Sequence, residues 1–363
     1  MDDNSVLMGK QNKQLHFEIM RIIAIFFVIF IHTDSDGYYL FKQYQYTDIS
    51  FWGYLCVTLI SRFPVPLFFA ISGALMLNRS DEPLGRLWGK RIFRYAILLV
   101  LTCFLYYVQA QGFDLSEINI KEFIIILYSY SSGGITWFLY SYLAYLILLP
   151  ILATLAKNLK NSHYLYLFTV VLVYSGIVPV LEYCVFQGNQ TINPYFTVGW
   201  IAEYTVVYPL LGYFLEYRLE RHHYKKVLSI LCPLSILAIG ISAVMTFYEG
   251  SIQDGRYSST FFSNFDLLNT CTVYLIASFV SQKMVFSGWS RHLICSLGQN
   301  TLGIYVLHQF VMWLPAAERM YDGIERTGMD PMLASLLFCM LVMLICYGIT
   351  VFLRKIPGVN KLL

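Results

Sequence analysis

The chain has 363 residues, of which 57% are hydrophobic and only 13% are charged. Soluble globular proteins have about 45–50% apolar and about 25% charged residues, so the composition excludes soluble domains, a disordered chain, a disulfide scaffold and a nucleic-acid-binding protein. The formal net charge of +3 is too small to indicate an acidic partner, and the distribution of charge is more informative than its sum.

Apolar segments of about 20 residues, the length that crosses a bilayer, predict ten membrane-spanning helices. In chain order they cover residues 18–34, 54–78, 91–110, 137–156, 165–183, 199–217, 227–247, 265–286, 293–314 and 333–354. The second segment contains Pro64 and Pro66, which favours a broken helix there. A further apolar stretch, Phe123 to Tyr130, is too short to span. The predicted fold is an all-α, polytopic integral membrane bundle of ten transmembrane helices.

Lysines and arginines orient this bundle, because cytoplasmic segments are enriched in both. With the N-terminus inside, nineteen of the 25 lie on the cytoplasmic side, five on the outer side and one, Arg62, within a span. We therefore expect a multi-pass protein of the plasma or inner membrane with both termini cytoplasmic. It has a tail over residues 1–17, a membrane domain over 18–354 and a short tail over 355–363. No cleavable signal peptide is expected, since the first apolar run lacks a small-residue cleavage site.

Ionisable side chains inside membrane spans are costly and by default mark a functional site. The first span carries Arg21 near its cytoplasmic end and His32 near its outer end, and their spacing puts both on one helix face, about 16 Å apart along the axis. Glu18 lies one turn before Arg21 and is placed to pair with it. In the ninth span, His308 lies at a depth similar to that of His32.

The third span opens with Arg91 and Arg94, one turn apart at the cytoplasmic surface. Guanidinium groups suit bidentate phosphate binding, although residues that only obey the positive-inside rule would look the same. Polar residues at outer helix ends fit a site, snorkelling or mutual pairing; they are Arg62, Glu182, Glu203, Asp266 and Asn269. Tryptophans at these ends, such as Trp137, fit both sugar stacking and an aromatic belt. The eight cysteines show no metal-ligand spacing.

The spacing Arg21-x10-His32, followed by Arg91-x-x-Arg94, resembles the acyltransferase-3 family of membrane acyltransferases. Similar stretches follow in the family's order over nearly the whole chain: Glu18-x-x-Arg21, Pro66 to Gly73, Trp137-Phe138-Leu139, Leu210 to Tyr213, and Leu302-Gly303-Ile304-Tyr305-x-x-His308. Glu18 stands where the family often has aspartate. Many members carry a soluble esterase-like domain after the last span, which is not seen here, so the chain resembles the stand-alone surface-polysaccharide O-acyltransferases.

The resemblance implies O-acetylation: an acyl group, usually acetyl, moves from cytoplasmic acetyl-CoA or another acyl-CoA to a hydroxyl of an extracytoplasmic carbohydrate. It implies a catalytic set of His32, Arg21 and Glu18, with His32 as general base or as an acylated intermediate. It implies Arg91 and Arg94 as the acyl-CoA site. Substrate-binding candidates are Arg62, Ser72, Trp137, Glu203 and His308, and all but the tryptophan are also candidates for orienting His32.

Beyond the acyl-CoA co-substrate, we expect no permanently bound cofactor and no metal. The expected partners are acyl-CoA, the glycan acceptor and the lipid bilayer, and no nucleic acid is expected. The oligomeric state, monomer or homo-oligomer, stays open. A transporter or flippase of a polar or lipid-linked solute is the alternative, because polar residues at several depths and a proline-broken helix fit it too. Against it, the two halves show no corresponding pair of broken helices.

Overall fold

The computed structural model describes residues 3–79, 83–129, 135–193, 195–196, 198–253, 255–284 and 286–363, with side chains from residue 15 onward. Helices account for 79% of the structure, and no strand occurs within these ranges, which confirms the all-helical prediction. In chain order the helices are α1 (Asp3–Ile31), α2 (Ile49–Ile60), α3 (Pro64–Met76), α4 (Leu84–Ala110), α5 (Ile120–Ser129), α6 (Thr136–Asn158), α7 (Asn161–Phe186), α8 (Val207–Tyr217), α9 (Tyr224–Ile252), α10 (Asp266–Lys283), α11 (Gly288–Gln299), α12 (Thr301–Met312), α13 (Pro315–Glu325) and α14 (Pro331–Leu353).

Six segments of the described chain are long and apolar enough to cross a membrane: the α2–α3 pair, α4, α6, α7, α9 and α14. They coincide with six of the ten predicted spans, so these six are confirmed as helices long and apolar enough to cross a membrane, while the number ten and the orientation stay predictions. The helix α1 begins at Asp3, within the segment predicted as a tail. The predicted span 293–314 is divided at Asn300 between α11 and α12.

The proline break predicted in the second span is confirmed. Helix α2 ends at Ile60 and α3 begins at Pro64, where a missing N–H is tolerated because the first turn of a helix has no partner for it. The hydroxyl of Ser61 donates to the carbonyl oxygen of Val57 at 2.6 Å. The break leaves Arg62 between the two helices, with its side chain directed into the bundle rather than along a helix surface.

Helices α3 and α8 touch through their backbones. A Cβ added at Gly73 would overlap the backbone of Pro209, and one added at Gly212 would overlap the carbonyl oxygen of Ala70. Each helix therefore offers a small residue to the other, as membrane helices do where their backbones approach closely. This contact fixes α3, and hence the break that carries Arg62, against α8.

Gly212→Ala is expected to lower the stability of the protein by about 1–3 kcal/mol, because the added methyl group meets backbone atoms that cannot rotate away. The measurement is thermal unfolding of the purified protein in detergent. Gly240→Ala in α9 is the matched control, since no heavy atom lies within 4 Å of a Cβ there, and it should leave stability unchanged or raise it by up to about 1 kcal/mol. Equal midpoints for the two variants would show that α3 and α8 are not in backbone contact.

Candidate active site

The Glu18 carboxylate and the Arg21 guanidinium pair within α1. The Nη1 atom of Arg21 donates to both carboxylate oxygens, at 2.9 and 3.0 Å, which confirms the pairing predicted from their spacing. Glu18 is buried against α11, where a Cβ added at Gly298 would overlap its side chain. The glutamate is thus held between two helices, and it holds the arginine in turn.

A cavity of about 380 Å³ opens beside Arg21, and we call it the arginine cavity. Its walls combine the guanidinium groups of Arg21 and Arg354 with aromatic rings from α4, α6 and α12: Tyr95, Phe138, Tyr142 and Tyr305. Arg354 directly follows α14, and its Nη1 atom donates to Oδ1 of Asn300 at 2.9 Å. The break between α11 and α12 therefore supplies the group that positions the second arginine.

Arg91 and Arg94, predicted as the acyl-CoA site, have different neighbours. Arg94 is exposed, its Nη2 atom donates to the carbonyl oxygen of Leu362 at 3.2 Å, and it lies close enough to Arg354 for electrostatic interaction. Arg91 belongs to a π-helical turn, Leu87–Ile92, and interacts electrostatically with Tyr145 of α6. Arg94 therefore adjoins a residue that lines the arginine cavity.

A second, smaller cavity of about 100 Å³ lies against the other end of α1, and we call it the histidine cavity. His32, the first residue after α1, borders it together with Arg62, Trp137, Tyr204 and Tyr305. The backbone N–H of His32 donates to the carbonyl oxygen of Ile29 at 3.1 Å, so the end of the helix fixes the backbone that carries the imidazole.

Arg62 is anchored on the far wall of the histidine cavity. Its Nη2 and Nε atoms donate to the hydroxyl of Ser263 at 2.7 and 3.1 Å, and its Nη1 atom lies 3.4 Å from the hydroxyl of Tyr38. The buried carboxylate of Asp266 interacts with it electrostatically. Arg62 and Asp266, predicted separately at outer helix ends, thus lie close enough to interact electrostatically.

His308 lies next to His32, as their similar predicted depths suggested. The two ring centroids are 5.2 Å apart, with an angle of 44° between the ring planes. His308 is fully buried in α12, and its Nδ1 atom lies 2.6 Å from the carbonyl oxygen of Tyr305. Two imidazoles therefore stand side by side at the edge of the histidine cavity.

Tyr305 lines both cavities. Its hydroxyl donates to the carbonyl oxygen of Ile135 at 2.5 Å, and its ring centroid is 4.9 Å from that of Phe138. This one aromatic side chain forms a wall of each cavity, so the arginine cavity and the histidine cavity meet at it.

The other predicted substrate-binding residues are distributed differently. Ser72 lines the arginine cavity, where its hydroxyl donates to the carbonyl oxygen of Phe68 at 2.8 Å. Glu203 is exposed and is not among the residues found to line either cavity, whereas the neighbouring Tyr204 lines the histidine cavity. Trp137 lines the histidine cavity. Sequence reasoning missed Tyr204 and Arg354. With 29 tyrosines in the chain, no single one is informative, and Arg354 was counted only among the lysines and arginines that orient the bundle in the membrane.

A helical bundle with membrane-crossing segments, an arginine-lined cavity and an adjoining histidine pair defines a multi-pass membrane protein with a buried polar site. The family model described as an acyltransferase domain, that of the acyltransferase-3 family, matches residues 15–351. The chain therefore belongs to the acyltransferase-3 family and is a membrane acyltransferase. No curated protein and no solved structure matches the chain.

Proposed function

We propose that the protein moves an acetyl or other short acyl group from acyl-CoA to a hydroxyl of a carbohydrate-type acceptor on the opposite side of the membrane. The observation that carries the proposal is the meeting of the two cavities at Tyr305. One cavity offers cations and aromatic surface, and the other offers an imidazole. A donor bound in the first can present its reactive end to an acceptor in the second.

The arginine cavity is the proposed acyl-CoA site. Its two arginines, with Arg94 beside them, suit the phosphate groups of CoA because guanidinium groups donate in bidentate pairs to phosphate oxygens. The excess of lysine and arginine on the side of this cavity supports a cytoplasmic orientation for it, in a bundle of ten helices of the plasma or inner membrane with both termini cytoplasmic. The aromatic walls above Arg21 would enclose the uncharged acyl-pantetheine arm. About 16 Å of helix then separates Arg21 from His32.

His32 is the proposed general base. Its unprotonated ring nitrogen takes the proton of the acceptor hydroxyl while the hydroxyl oxygen attacks the thioester carbonyl carbon. The C–S bond then breaks, and the proton on the imidazole passes to the departing CoA sulfur, so an ester and free CoA are formed. General-base assistance by a positioned imidazole typically contributes about 10²–10⁴-fold to the rate.

Arg354→Ala is expected to raise the Kd for acetyl-CoA roughly 10- to 100-fold, as loss of a hydrogen bond to a charged group would do. Arg94→Ala should raise it less, because Arg94 is exposed. The measurement is calorimetric titration of the purified protein with acetyl-CoA. Lys225→Ala, an exposed cation on α9, is the control and should bind like the wild type.

Two results would contradict this assignment. If Arg354→Ala binds acetyl-CoA as tightly as the wild type does, the arginine cavity is not the donor site. If the folded wild-type protein binds neither acetyl-CoA nor longer acyl-CoAs, the acyl-CoA mechanism itself fails, and the polar bundle is better explained by transport of a solute.

A further inference from the structure

The buried imidazole of His308 has one nitrogen with a defined role and one without. Its Nδ1 atom faces the carbonyl oxygen of Tyr305 at 2.6 Å, and a carbonyl oxygen can only accept, so Nδ1 carries the hydrogen. In the neutral ring the Nε2 atom is then an acceptor. It is buried and has no hydrogen-bond partner among the described residues, although buried polar atoms in proteins are almost always satisfied.

His32 is placed to satisfy that nitrogen. A linear N–H···N bond of about 2.9 Å between two imidazoles puts their ring centres about 5.2 Å apart, and the observed separation of the two rings is 5.2 Å. The two rings are tilted by 44° and form no hydrogen bond as placed, so a turn of the His32 ring is needed to bring the nitrogens together. His32 follows the end of α1 and borders a cavity, so its ring has room to turn about the Cβ–Cγ bond.

We propose that His308 is the positioning residue for His32, an inference that rests on the proposed function. The N–H of one His32 nitrogen donates to Nε2 of His308, which selects a single tautomer of His32. The other nitrogen of His32 is then unprotonated and is presented to the histidine cavity, where it takes the proton of the acceptor hydroxyl. His308 itself touches neither substrate.

The other candidates for orienting His32 are less suited to this role. Arg62 has no acceptor atom and donates to Ser263. Ser72 lies in the arginine cavity, and Glu203 is exposed. A general base must point its lone pair at the proton that it takes. Because a misplacement of about 1 Å can lower the rate about 10²-fold, loss of the group that fixes the His32 tautomer should be measurable.

The first test compares His308→Phe with His308→Gln in transfer from labelled acetyl-CoA, using inverted membrane vesicles of the producing host and counting label in the polysaccharide fraction. His308→Phe should lower kcat about 10- to 100-fold with the Kd for acetyl-CoA unchanged. His308→Gln should stay within a few-fold of the wild type, because its side-chain oxygen can accept near the position of Nε2. A histidine that only fills space predicts the reverse order, since phenylalanine is the better apolar substitute, and that order would overturn the proposal.

The second test does not depend on transfer. ¹⁵N NMR of protein labelled at the histidine ring nitrogens, with the His32 signals assigned by their loss in His32→Ala, should show one hydrogen-bonded tautomer in the wild type and a mixture in His308→Phe. An unchanged His32 spectrum in His308→Phe would overturn the inference even if the protein is an active transferase. A His308-dependent tautomer in a protein that transfers no acyl group would instead show that His308 orients His32 and would remove the proposed function.

Discussion

Replacing His32 with alanine is expected to lower acyl transfer by about 10²–10⁴-fold, the usual contribution of a general base, while the Kd for acetyl-CoA stays at its wild-type value. The reason is the separation of tasks between the two cavities: His32 borders the histidine cavity, and the arginines that would hold the donor phosphates line the other one. The measurement is transfer of label from acetyl-CoA in inverted vesicles, beside calorimetric binding to the purified variant.

His292→Ala is the matched control for this experiment, because His292 is an exposed histidine of α11 and its loss should leave transfer unchanged. Retained transfer in His32→Ala would remove the base assignment. If His32→Ala loses both acetyl-CoA binding and acyl transfer, His32 supports the donor site instead, in conflict with its position in the smaller cavity.

Arg62→Met is expected to be the most destabilising single substitution considered, by about 3–5 kcal/mol, the cost of removing one partner of a buried charge pair. Asp266 is buried, and the groups that act on its carboxyl are the guanidinium of Arg62 and the hydroxyl of Ser263. The positive charge of Arg62 is therefore its main electrostatic compensation. Denaturant-dependent unfolding of the protein in mixed micelles measures the effect.

A second substitution tests the cause. Asp266→Asn in the Arg62→Met background removes the uncompensated charge and should recover a substantial part of the lost stability, so that the two changes are strongly non-additive. If the double variant is destabilised by the sum of the two single effects, Arg62 acts through its bonds to Ser263 and Tyr38 and not through Asp266.

Local features of the site were predictable from the sequence, and the reasons are physical. Glu18 and Arg21 are one helical turn apart, so their contact follows from helix geometry. Two prolines in an apolar run predicted the break that positions Arg62. The depth of His32 and His308 in their spans followed from counting residues, because the helix rise is constant.

Features that depend on packing between helices were not predictable in this way. Nothing in the apolar run 293–314 resembles the proline signal of the second span, so the break at Asn300 and its bond to Arg354 were missed. The π-helical turn that carries Arg91 was missed too, because the spacing argument assumed a regular α-helix. Ser263, which holds Arg62 from a distant part of the chain, could be found only once the helices were assembled.

The shared wall at Tyr305 bears on the permeability of the membrane. An enzyme that takes its donor from one side of a bilayer and its acceptor from the other needs an opening toward each side. If water joined the two openings, protons and ions would leak through and dissipate their gradients. Here the side chain of Tyr305, tied to Ile135 and packed on Phe138, stands between them. In the proposed mechanism, the acyl group would then cross the bilayer without a continuous water path for protons and ions.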